Sequence, residues 1–421
     1  SDMILNGCLY LGLAFSILLT INVIPFISLL GIWIIYISFL NTSRVFLSFQ
    51  WDIFFVEIGF LALLWSPRHI LKEKSQKPSI ILLWLLRILL FRFFLGSGLV
   101  KLLSNEPAWR DLTALTYHYL TQPLPLVTSW FMHHLPLWFH RMSGAIVLVI
   151  ECIFVFFIFF PKRIRLIGFG ALVGLQVLIF FTGNYGFFNL LSIVLCIILL
   201  DDKTIQTLTP GFLENMYPKQ ADSLPQKPAS TLNPLVSILM IFLCFSFIYL
   251  SMAKELQRFG YFQKSSLTTK TLSYLRPYHI INRYGPFSVM TKKRIEISFE
   301  GSQDGVTWKA YGFKWKPQHG FTSPKWVQPH HPRLDWQMWF VPFGKPYQSP
   351  WVIHTMKRLL EGSQSVLDLF KYNPFPGKPP TYIRAVAHQY DFTEPETKKI
   401  TGDWWSMTPI GVYVEPISLR R

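Results

Sequence analysis

Three ionisable residues lie inside long apolar segments, where a charge is costly to bury. Glu57, Arg92 and Glu151 each stand near the middle of a segment that is long enough to cross a membrane. An unpaired charge at that depth costs several kcal/mol, so opposite charges are expected to pair within the helix bundle. We therefore predict an ion pair of Arg92 with Glu57, with Glu151, or with both.

Arg87 and Lys101 lie on the same predicted helix as Arg92 and extend this polar cluster. They share one face, because their separation is close to a whole number of helical turns. Lys101 is near the end of the helix, from which its side chain could also reach the membrane interface. One interpretation is a set of structural ion pairs that orients the helices. The alternative is a cavity that binds a lipid or a quinone-like molecule, or that conducts protons.

The loop that follows this helix is rich in aromatic residues. Trp109 and Tyr119 fall along one side of a predicted interfacial helix, 108–121, which Pro123 and Pro125 end. The next segment is expected at the membrane–water boundary, as an aromatic belt. Its aromatic residues are Trp130, Phe131, Trp138 and Phe139.

Histidines and charged residues in the same loop raise the question of a metal site. They are Arg110, Asp111, His118, His133, His134 and His140. Adjacent histidines rarely face one ion, and no carboxylate or cysteine completes a known ligand spacing. We therefore predict no metal.

These residues must be held by a chain that is mostly embedded in a membrane. Of its 421 residues, 51% are hydrophobic and 17% aromatic, which is too apolar for a soluble protein of this length. We predict a polytopic α-helical membrane protein of about eight spans, with a C-terminal β-rich α+β domain outside the membrane. The predicted spans are 4–22, 24–40, 46–65, 80–103, 143–160, 164–182, 187–200 and 234–253.

The hydrophobic excess ends near residue 255 and divides the chain. Residues 1–255 are predicted to form the transmembrane domain, including an outer interfacial loop at 104–142. A connector that follows the membrane surface is predicted at 256–290, and the β-rich domain at 291–421.

Within the β-rich domain, three elements follow from the residue pattern. Polar and apolar residues alternate on both sides of Asp304 and Gly305, which predicts a β-hairpin with these two residues in the turn. Helical spacing predicts a helix over 350–371, which the prolines that follow it end. The alternation resumes at 382–392 and predicts a strand there.

Lysine and arginine in the short loops predict the orientation. The loops after the third, fifth and seventh spans are basic, which predicts that they lie in the cytoplasm. The outer loop and the C-terminal domain then lie on the opposite side of the membrane. Their basic residues are Arg68, Lys72, Lys74, Lys77, Lys162, Arg163, Arg165, Lys203, Lys219 and Lys227; the opposite side carries only Arg44, Arg110 and Arg141 outside the C-terminal domain. We attribute the net charge of +17 to this anchoring, because no nucleic-acid-binding module is recognisable.

The cysteines and the absent motifs exclude several classes of enzyme. All four cysteines lie in predicted spans and none forms a CxxC, which excludes a thiol–disulfide enzyme. The sequence has no P-loop, GxSxG or HExxH, so no ATP site and no cofactor is predicted. The opening SDM lacks a basic region and a cleavage site, so we predict no signal peptide and expect the natural protein to begin earlier.

Tryptophans are frequent in the C-terminal region and suggest a protein-binding surface. Polar and aromatic residues alternate in the segment HPRLDWQMWF, 331–340. The candidate residues for a client-binding surface are Arg333, Asp335, Trp336, Trp339, Trp404 and Trp405. His330 and Asp335 also have the H-x4-D spacing of glycerolipid acyltransferases, although Arg333 could pair with Asp335 instead.

Long blocks of the sequence resemble the lipase maturation factor family. They are FLSFQWDIFFVEIGFLALL (46–64), 85–125, HHLPLWFHR (133–141), 181–202, NRYGPFSVMTKKRIEISFEGSQDG (282–305), HPRLDWQMWF (331–340), NPFPGKPP (373–380) and GDWW (402–405). The resemblance covers nearly the whole chain. It implies a polytopic membrane protein that helps homodimeric lipases, such as lipoprotein lipase, to fold and assemble, with the loop after the helix at 80–103 and the C-terminal region facing the lumen of the endoplasmic reticulum.

The chain resembles the bacterial branch of that family, because its outer domain lacks cysteine. Relative to other members, we expect the chain to lack one N-terminal span. The expected location is then a bacterial inner membrane with a periplasmic C-terminal domain, or the endoplasmic reticulum with a lumenal one if the protein is eukaryotic. The family is also remotely similar to membrane proteins of the vitamin K-dependent carboxylase type, which keeps an intramembrane enzyme or a lipid- or quinone-binding protein as the alternative. In that case Lys101, His118 or His140 are conceivable bases.

From the sequence we predict a membrane-anchored, ATP-independent folding or assembly factor rather than an enzyme. Its expected partners are a secreted lipase or another exported client protein, together with membrane lipid. Nucleic acid is not an expected partner.

Overall fold

The chain forms two compact units. The computed structural model describes residues 2–47, 49–68, 70, 80–209, 234–261 and 266–419. The first unit, here called the helical unit, comprises Ser1–Val100, Val149–Gly174 and Leu191–Pro286; the second, the sheet unit, comprises Lys101–Leu148, Leu175–Leu190 and Phe287–Arg421. The division at residues 255 and 290 stays a prediction. The basic loop residues Lys72, Lys74, Lys77, Lys219 and Lys227 and part of the predicted connector, 262–265, lie outside the described residues.

Helices make up most of the first half of the chain. In chain order they are α1 (Asp2–Thr20), α2 (Pro25–Thr42), α3 (Gln50–Trp65), α4 (Ile80–Leu103), α5 (Pro107–Arg110), α6 (Ala114–Thr121), α7 (Val127–His133), α8 (Leu137–Cys152), α9 (Lys162–Phe180), α10 (Phe188–Cys196), α11 (Asp202–Leu208), α12 (Pro234–Leu256) and α13 (Leu267–Leu275). Short helices follow in the second half: α14 (Arg333–Met338), α15 (Pro350–Leu360), α16 (Gln364–Leu367) and α17 (Pro395–Thr401).

Five helices among the described residues are long and apolar enough to cross a membrane. They are Asp2–Thr20, Pro25–Thr42, Ile80–Leu103, Leu137–Phe159 and Lys162–Phe180. Hydrocarbon offers no hydrogen-bond partners to the backbone, and a helix forms these bonds within itself. The predicted polytopic helical class is therefore confirmed. α3, α10 and α12 coincide with the other three predicted spans, and the full number of about eight crossings stays a prediction.

The sheet unit contains an antiparallel four-stranded sheet in the order β2-β1-β5-β6. Its strands are β1 (Arg294–Ser302), β2 (Lys309–Ala310), β5 (Tyr382–Phe392) and β6 (Trp405–Ile417), and β3 (Gly312–Phe313) pairs separately with β4 (Phe370–Tyr372). One side of α15 packs on the sheet core through Val352, Met356 and Leu359, which are buried at helical spacing. The predicted strand at 382–392 is confirmed.

The hairpin between β1 and β2 turns at the two predicted residues. Gly305 has φ +77°, a conformation that glycine adopts without steric cost. The Asp304 carboxylate accepts from the backbone N–H of Val306 at 2.9 Å and of Thr307 at 2.8 Å. These donors hold the pKa of Asp304 well below its usual range, because they favour the charged carboxylate.

Two predicted helices are shorter than expected. The helix predicted at 108–121 is broken into α5 and α6, because Leu112 has φ +56° and a residue in that conformation cannot continue a right-handed helix. The helix predicted at 350–371 ends at Leu360, where Gly362 takes φ +67° in the manner of a helix C-terminus. The prolines that were expected to end it come later in the chain.

Candidate functional site

The predicted ion pair forms between Arg92 of α4 and Glu57 of α3. Arg92 Nη1 lies 2.8 Å from Glu57 Oε1, and the two side chains are 1% and 0% exposed. Arg92 Nη2 also donates to the backbone carbonyl of Asn282 at 2.7 Å. Opposite charges on two apolar helices thus compensate each other inside the helical unit.

The second oxygen of Glu57 is held by a segment that sequence reasoning did not connect with it. Oε2 accepts from the backbone N–H of Asn282 at 3.1 Å, from Asn282 Nδ2 at 2.9 Å and from the Tyr284 hydroxyl at 2.7 Å. The carboxylate therefore has four donors, which is about its full capacity. This geometry favours the structural interpretation of the charges, because a saturated carboxylate has little capacity left to bind a ligand. The functional role of the cluster stays a prediction.

The segment around Tyr284 is fitted closely against α4. A Cβ at Gly96 would lie 3.1 Å from the Tyr284 carbonyl, so the position suits glycine. Arg258 Nη2 donates to the same carbonyl at 3.0 Å, and the Gly285 N–H donates to Gln50 Oε1 at 2.9 Å. The only sequence signal for Asn282 and Tyr284 was their place in the NRYGPF block of the family resemblance.

The other predicted members of the polar cluster lie at other positions along α4. Glu151 is buried and lies against Gly98, more than one helical turn along α4 from Arg92. Arg87 lies 5.4 Å from the centroid of the Trp84 ring, at the opposite end of the helix. Lys101 is buried, with its ammonium 5.5 Å from the centroid of Trp109. Lys101 therefore does not reach the interface as an extended side chain.

In the sheet unit, Arg294 of β1 fastens the loop after α6. Its Nη1 donates to the carbonyls of Leu120 at 2.9 Å and Gln122 at 2.5 Å, and its Nη2 donates to Pro123 at 2.8 Å. Nη2 also lies 2.6 Å from Glu296, whose other oxygen lies 2.7 Å from Lys316 Nζ. All three charged side chains are buried. We call this set the Arg294 clamp.

A second buried chain of hydrogen bonds begins at His118. The Tyr185 hydroxyl donates to Gln122 Oε1 at 2.8 Å and lies 3.0 Å from His118 Nε2. Because the single hydroxyl hydrogen is used by Gln122, His118 must carry its hydrogen on Nε2 and donate it to Tyr185. Burial, assisted by the charge of Lys101, lowers the pKa of His118 to about 4, so the ring is neutral at neutral pH.

Asn184 ties three loops of the sheet unit together. Its Nδ2 donates to the carbonyls of Leu124 at 3.0 Å and Lys325 at 2.8 Å. Its Oδ1 accepts from the N–H of Val327 at 2.9 Å and of Gln328 at 3.2 Å. Sequence reasoning missed Asn184 as well as Arg294, Gln122 and Tyr185, since nothing in a local pattern distinguishes such a residue from an exposed polar one.

The residues of the predicted aromatic belt differ in their burial. Phe131 and Trp138 are exposed, but Trp130 is buried and donates from Nε1 to the Thr393 carbonyl at 3.1 Å. The ring of His133 contacts Phe392, and His134 Nδ1 lies 2.7 Å from the Trp130 carbonyl. Trp130 thus belongs to the core cluster beside β5, and the two histidines pack next to it.

The remaining loop residues do not converge on a metal. His140 is buried with its ring 5.8 Å from that of Tyr119, Arg110 donates to the Asn105 side chain, and Asp111 is exposed. No group of three or more histidine, cysteine, aspartate or glutamate residues in the described part of the chain could hold a metal ion.

Three of the six residues predicted for a client-binding surface are buried, which corrects the prediction for these three. Asp335, Trp336 and Trp405 are 3%, 3% and 2% exposed. The Asp335 carboxylate accepts from the N–H groups of Trp315 at 2.9 Å and Lys316 at 3.0 Å, so it stabilises a turn. Asp335 and Trp336 lie on α14, which also buries Leu334 and Met338.

The other three candidates are partly buried. Trp339 donates from Nε1 to the Thr121 carbonyl at 2.7 Å, and Trp404 lies under Lys398, whose Nζ is 3.4 Å from the ring centroid. Arg333 is partly buried at the start of α14. None of the three stands out from the surface as an isolated anchor.

Exposed aromatic side chains follow immediately after α14. Phe340, Phe343 and Tyr347 are 38%, 53% and 72% exposed. The rings of Phe340 and Phe343 lie 4.9 Å and 4.6 Å from that of Trp339, which is fixed by its own hydrogen bond. We call Phe340, Phe343 and Tyr347 the aromatic patch. Exposed aromatic residues on a rigid support are typical of protein-binding surfaces.

Comparison with known proteins gives consistent matches along the chain. Residues 1–207 match the lipase maturation factor transmembrane domain, and residues 280–415 match the lipase maturation factor C-terminal domain. The chain is 34% identical to human lipase maturation factor 2 over 497 aligned positions, which cover 94% of this chain and 69% of that protein. It is 31% identical to human lipase maturation factor 1 over 436 positions, covering 100% and 76%.

A relative from Xenopus tropicalis, named lipase maturation factor 2, is 34% identical and covers 89% of this chain. The chain spans 66% of that relative's length. No solved structure matches the chain.

Proposed function

Because the chain belongs to the lipase maturation factor family, we propose that this multi-pass membrane protein helps secreted lipases or similar exported proteins to fold and assemble. The helical unit anchors the protein in the membrane, and the sheet unit binds the client. Family membership is the observation that carries this proposal.

The aromatic patch is the client-binding surface in this proposal. Unassembled subunits expose apolar faces that are buried in the finished oligomer, and such faces aggregate. Phe340, Phe343 and Tyr347 offer exposed aromatic surface to them, supported by Trp339. Binding and release raise the local concentration of subunits without ATP, since binding energy alone drives the process.

The contacts between helix ends support an exported C-terminal domain. The Asn41 side chain at the end of α2 donates to the Pro277 carbonyl at 2.9 Å, so these two loops lie on one side. At other helix ends, Lys162 lies 2.8 Å from Asp201. If every predicted span crosses the membrane, the ends of the second and eighth spans lie on one side and the ends of the fifth and seventh on the other. Each of the two contacts therefore joins helix ends on the same side. With the positive-inside rule, the Lys162 side is cytoplasmic and the C-terminal domain is periplasmic or lumenal.

The proposal is tested by secretion of an active lipase. A homodimeric secreted lipase is co-expressed with this protein in cells that lack lipase maturation factors, and the ratio of secreted lipase activity to secreted lipase antigen is measured. We expect this protein to raise the ratio, and a variant with Phe340→Ser, Phe343→Ser and Tyr347→Ser to lose most of that gain while it remains folded.

The matched control changes exposed apolar residues away from the patch. Val306 and Phe321 are 80% and 71% exposed, and a Val306→Ser, Phe321→Ser variant should keep the full gain. An unchanged ratio with the unmodified protein would contradict the lipase-folding function. An equal loss in both variants would contradict the assignment of the patch alone.

A further inference from the structure

A group of positive charges stands where α2 and α12 end in the helical unit. Residues 256–286, which follow α12, contain no acidic residue and five basic ones, namely Arg258, Lys264, Lys270, Arg276 and Arg283. Arg44 follows α2, and Lys254 stands in the last turn of α12. Arg44, Arg276 and Arg283 are exposed, and Lys254 is half-buried. We call Arg44, Lys254, Arg276 and Arg283 the basic cluster.

The basic cluster lies at the level where α2 leaves the membrane. α2 is one of the helices that are long and apolar enough to cross a membrane, and Arg44 comes two residues after its end at Thr42. The Asn41 side chain donates to the Pro277 carbonyl at 2.9 Å, so the neighbouring Arg276 stands at the same level. Lipid headgroups begin where the hydrocarbon ends, so these residues are placed among them.

The members of the cluster lie close enough for their charges to interact. Lys254 is within electrostatic reach of Arg276 and Arg283. Burial lowers the pKa of His279, and the positive charges around its ring lower it further. Those charges belong to Arg44, Lys254 and Arg276. Because like charges that are gathered in one place repel each other, this arrangement favours the binding of an anion.

The carboxylates of this region do not neutralise the basic cluster. Glu255 interacts most strongly with Arg92 and Arg258, neither of which belongs to the cluster. Asp52, at the start of α3, is fully buried. Among the described residues, the three exposed arginines of the cluster have no ion-pair partner. A net positive charge therefore remains at the surface of this end of the helical unit.

The exposed side of α13 has the composition of a segment that lies among lipid headgroups. The Tyr249 hydroxyl of α12 lies 2.9 Å from Thr268 Oγ1, so α13 packs along the last turns of α12. Three side chains about one turn apart on α13 are exposed, namely Leu267, Lys270 and Tyr274. A surface that combines aliphatic, aromatic and basic side chains is typical of interfacial helices.

We propose that the basic cluster binds the phosphate group of an anionic phospholipid, with the exposed side of α13 lying among the neighbouring headgroups. A guanidinium can bind two phosphate oxygens through parallel hydrogen bonds, and each basic residue near an anionic surface increases binding about fivefold. In the orientation proposed above this end is exported, so the cytoplasmic excess of basic residues does not account for the cluster. The inference does not depend on the folding client.

The test is native mass spectrometry of the full-length protein in detergent, with equal amounts of phosphatidylglycerol and phosphatidylcholine. We expect the first phosphatidylglycerol to bind at least about fivefold more tightly than the first phosphatidylcholine. A variant with Arg44→Gln, Arg276→Gln and Arg283→Gln should lose most of this preference. Its unfolding temperature should be unchanged, because the three side chains are exposed.

A measurement on the unmodified protein tests the same point without a variant. The preference should fall when ammonium acetate is raised from about 0.05 M to about 0.5 M, since salt screens exposed charges. A preference that is independent of salt would contradict recognition by the basic cluster.

The matched control removes exposed basic residues at other helix ends, through Arg68→Gln, Arg163→Gln and Lys203→Gln. It should keep the preference of the unmodified protein. An equal loss in both variants would overturn the proposal, because the preference would then come from the overall charge. Absence of any preference in the unmodified protein would also overturn it, and would favour an acidic protein segment as the partner.

A second comparison separates a lipid from a soluble phosphate compound. Glycerol 3-phosphate carries the charged group without acyl chains, so we expect it to bind more weakly than phosphatidylglycerol. Leu267→Ser with Tyr274→Ser should weaken the binding of phosphatidylglycerol and leave that of glycerol 3-phosphate unchanged. Equal binding of the two ligands would support a soluble phosphate and overturn the assignment to lipid.

Discussion

The helical unit and the sheet unit each contain a buried arginine, but the two arginines have different partners. Arg92 and Arg294 are 2% and 1% exposed, and each joins a glutamate and the backbone of a distant segment. Arg92 pairs with Glu57 and reaches one carbonyl, whereas Arg294 reaches three carbonyls and shares Glu296 with Lys316. The first is mainly a charge pair and the second mainly a backbone clamp.

Because of this difference, removing each arginine should affect the stability of the protein differently. Removing Arg92 leaves a buried carboxylate whose remaining partners are neutral. Removing Arg294 takes the donors from three carbonyls and one of the two cations from Glu296, which stays paired with Lys316. A buried uncompensated charge costs more than unsatisfied neutral groups. The helical unit should therefore be the more sensitive of the two.

The largest effect is expected for Arg92→Met. Isolating the Glu57 charge should reduce the free energy of unfolding by about 3–5 kcal/mol. The apparent unfolding temperature in detergent, followed by tryptophan fluorescence, measures it. Adding Glu57→Gln should recover part of the loss, because it removes the isolated charge. If Arg92→Met were as stable as the unmodified protein, the pair would have no structural role.

Arg294→Met should cost less, about 2–3 kcal/mol, since three buried carbonyls lose donors while the charge of Glu296 stays compensated. The matched control is Arg384→Met, which breaks a partly exposed pair with Glu300 and should cost about 1 kcal/mol or less. Limited proteolysis should also cut the loop at 121–126 faster in Arg294→Met. A larger loss than for Arg92→Met would reverse the comparison of the two units.

Tyr185→Phe tests the neutral network beside the clamp. It leaves Gln122 Oε1 without its donor in a buried site, so we expect a loss of about 1–2 kcal/mol. Tyr347→Phe alters a hydroxyl on a side chain that is 72% exposed and should leave the unfolding temperature unchanged. Equal effects of the two changes would show that the Tyr185 hydroxyl adds no stability.

The smallest effect is the pH dependence of the sheet unit. The pKa of His118 is about 4 in the folded protein and ordinarily 6.5. Between these values the unfolded chain binds more protons, so the free energy of unfolding falls as the pH drops. From pH 7.5 to 5.5 this residue should account for about 1 kcal/mol. His118→Gln, which can still donate to Tyr185, should give a smaller pH slope of the unfolding temperature; an identical slope would contradict this account.

Sequence reasoning predicted what depends on local pattern or on depth in the membrane. The Arg92–Glu57 pair followed from two opposite charges near the centres of apolar spans, and the Asp304–Gly305 turn and the strand 382–392 followed from alternation. The helix over 108–121 was wrong, because the left-handed conformation of Leu112 has no local signal.

Long-range contacts could not be predicted in the same way. Burial of Trp130, Asp335, Trp336 and Trp405 depends on which distant segments pack together, and hydrophobic composition alone favours an exposed surface as much as a core. Similarly, Asn282 and Tyr284 meet Glu57 only after the chain has folded back over 225 and 227 residues of separation.

The Arg294 clamp has a consequence for the order of events on the ribosome. Arg294 is made 171 residues after Pro123, whose carbonyl it binds. At typical synthesis rates, Arg294 is added roughly 10–30 s after the loop whose carbonyls it binds. During that interval the nascent loop must stay hydrated or be shielded by a chaperone. The loop thus passes through a vulnerable period before the residue that fastens it has been made.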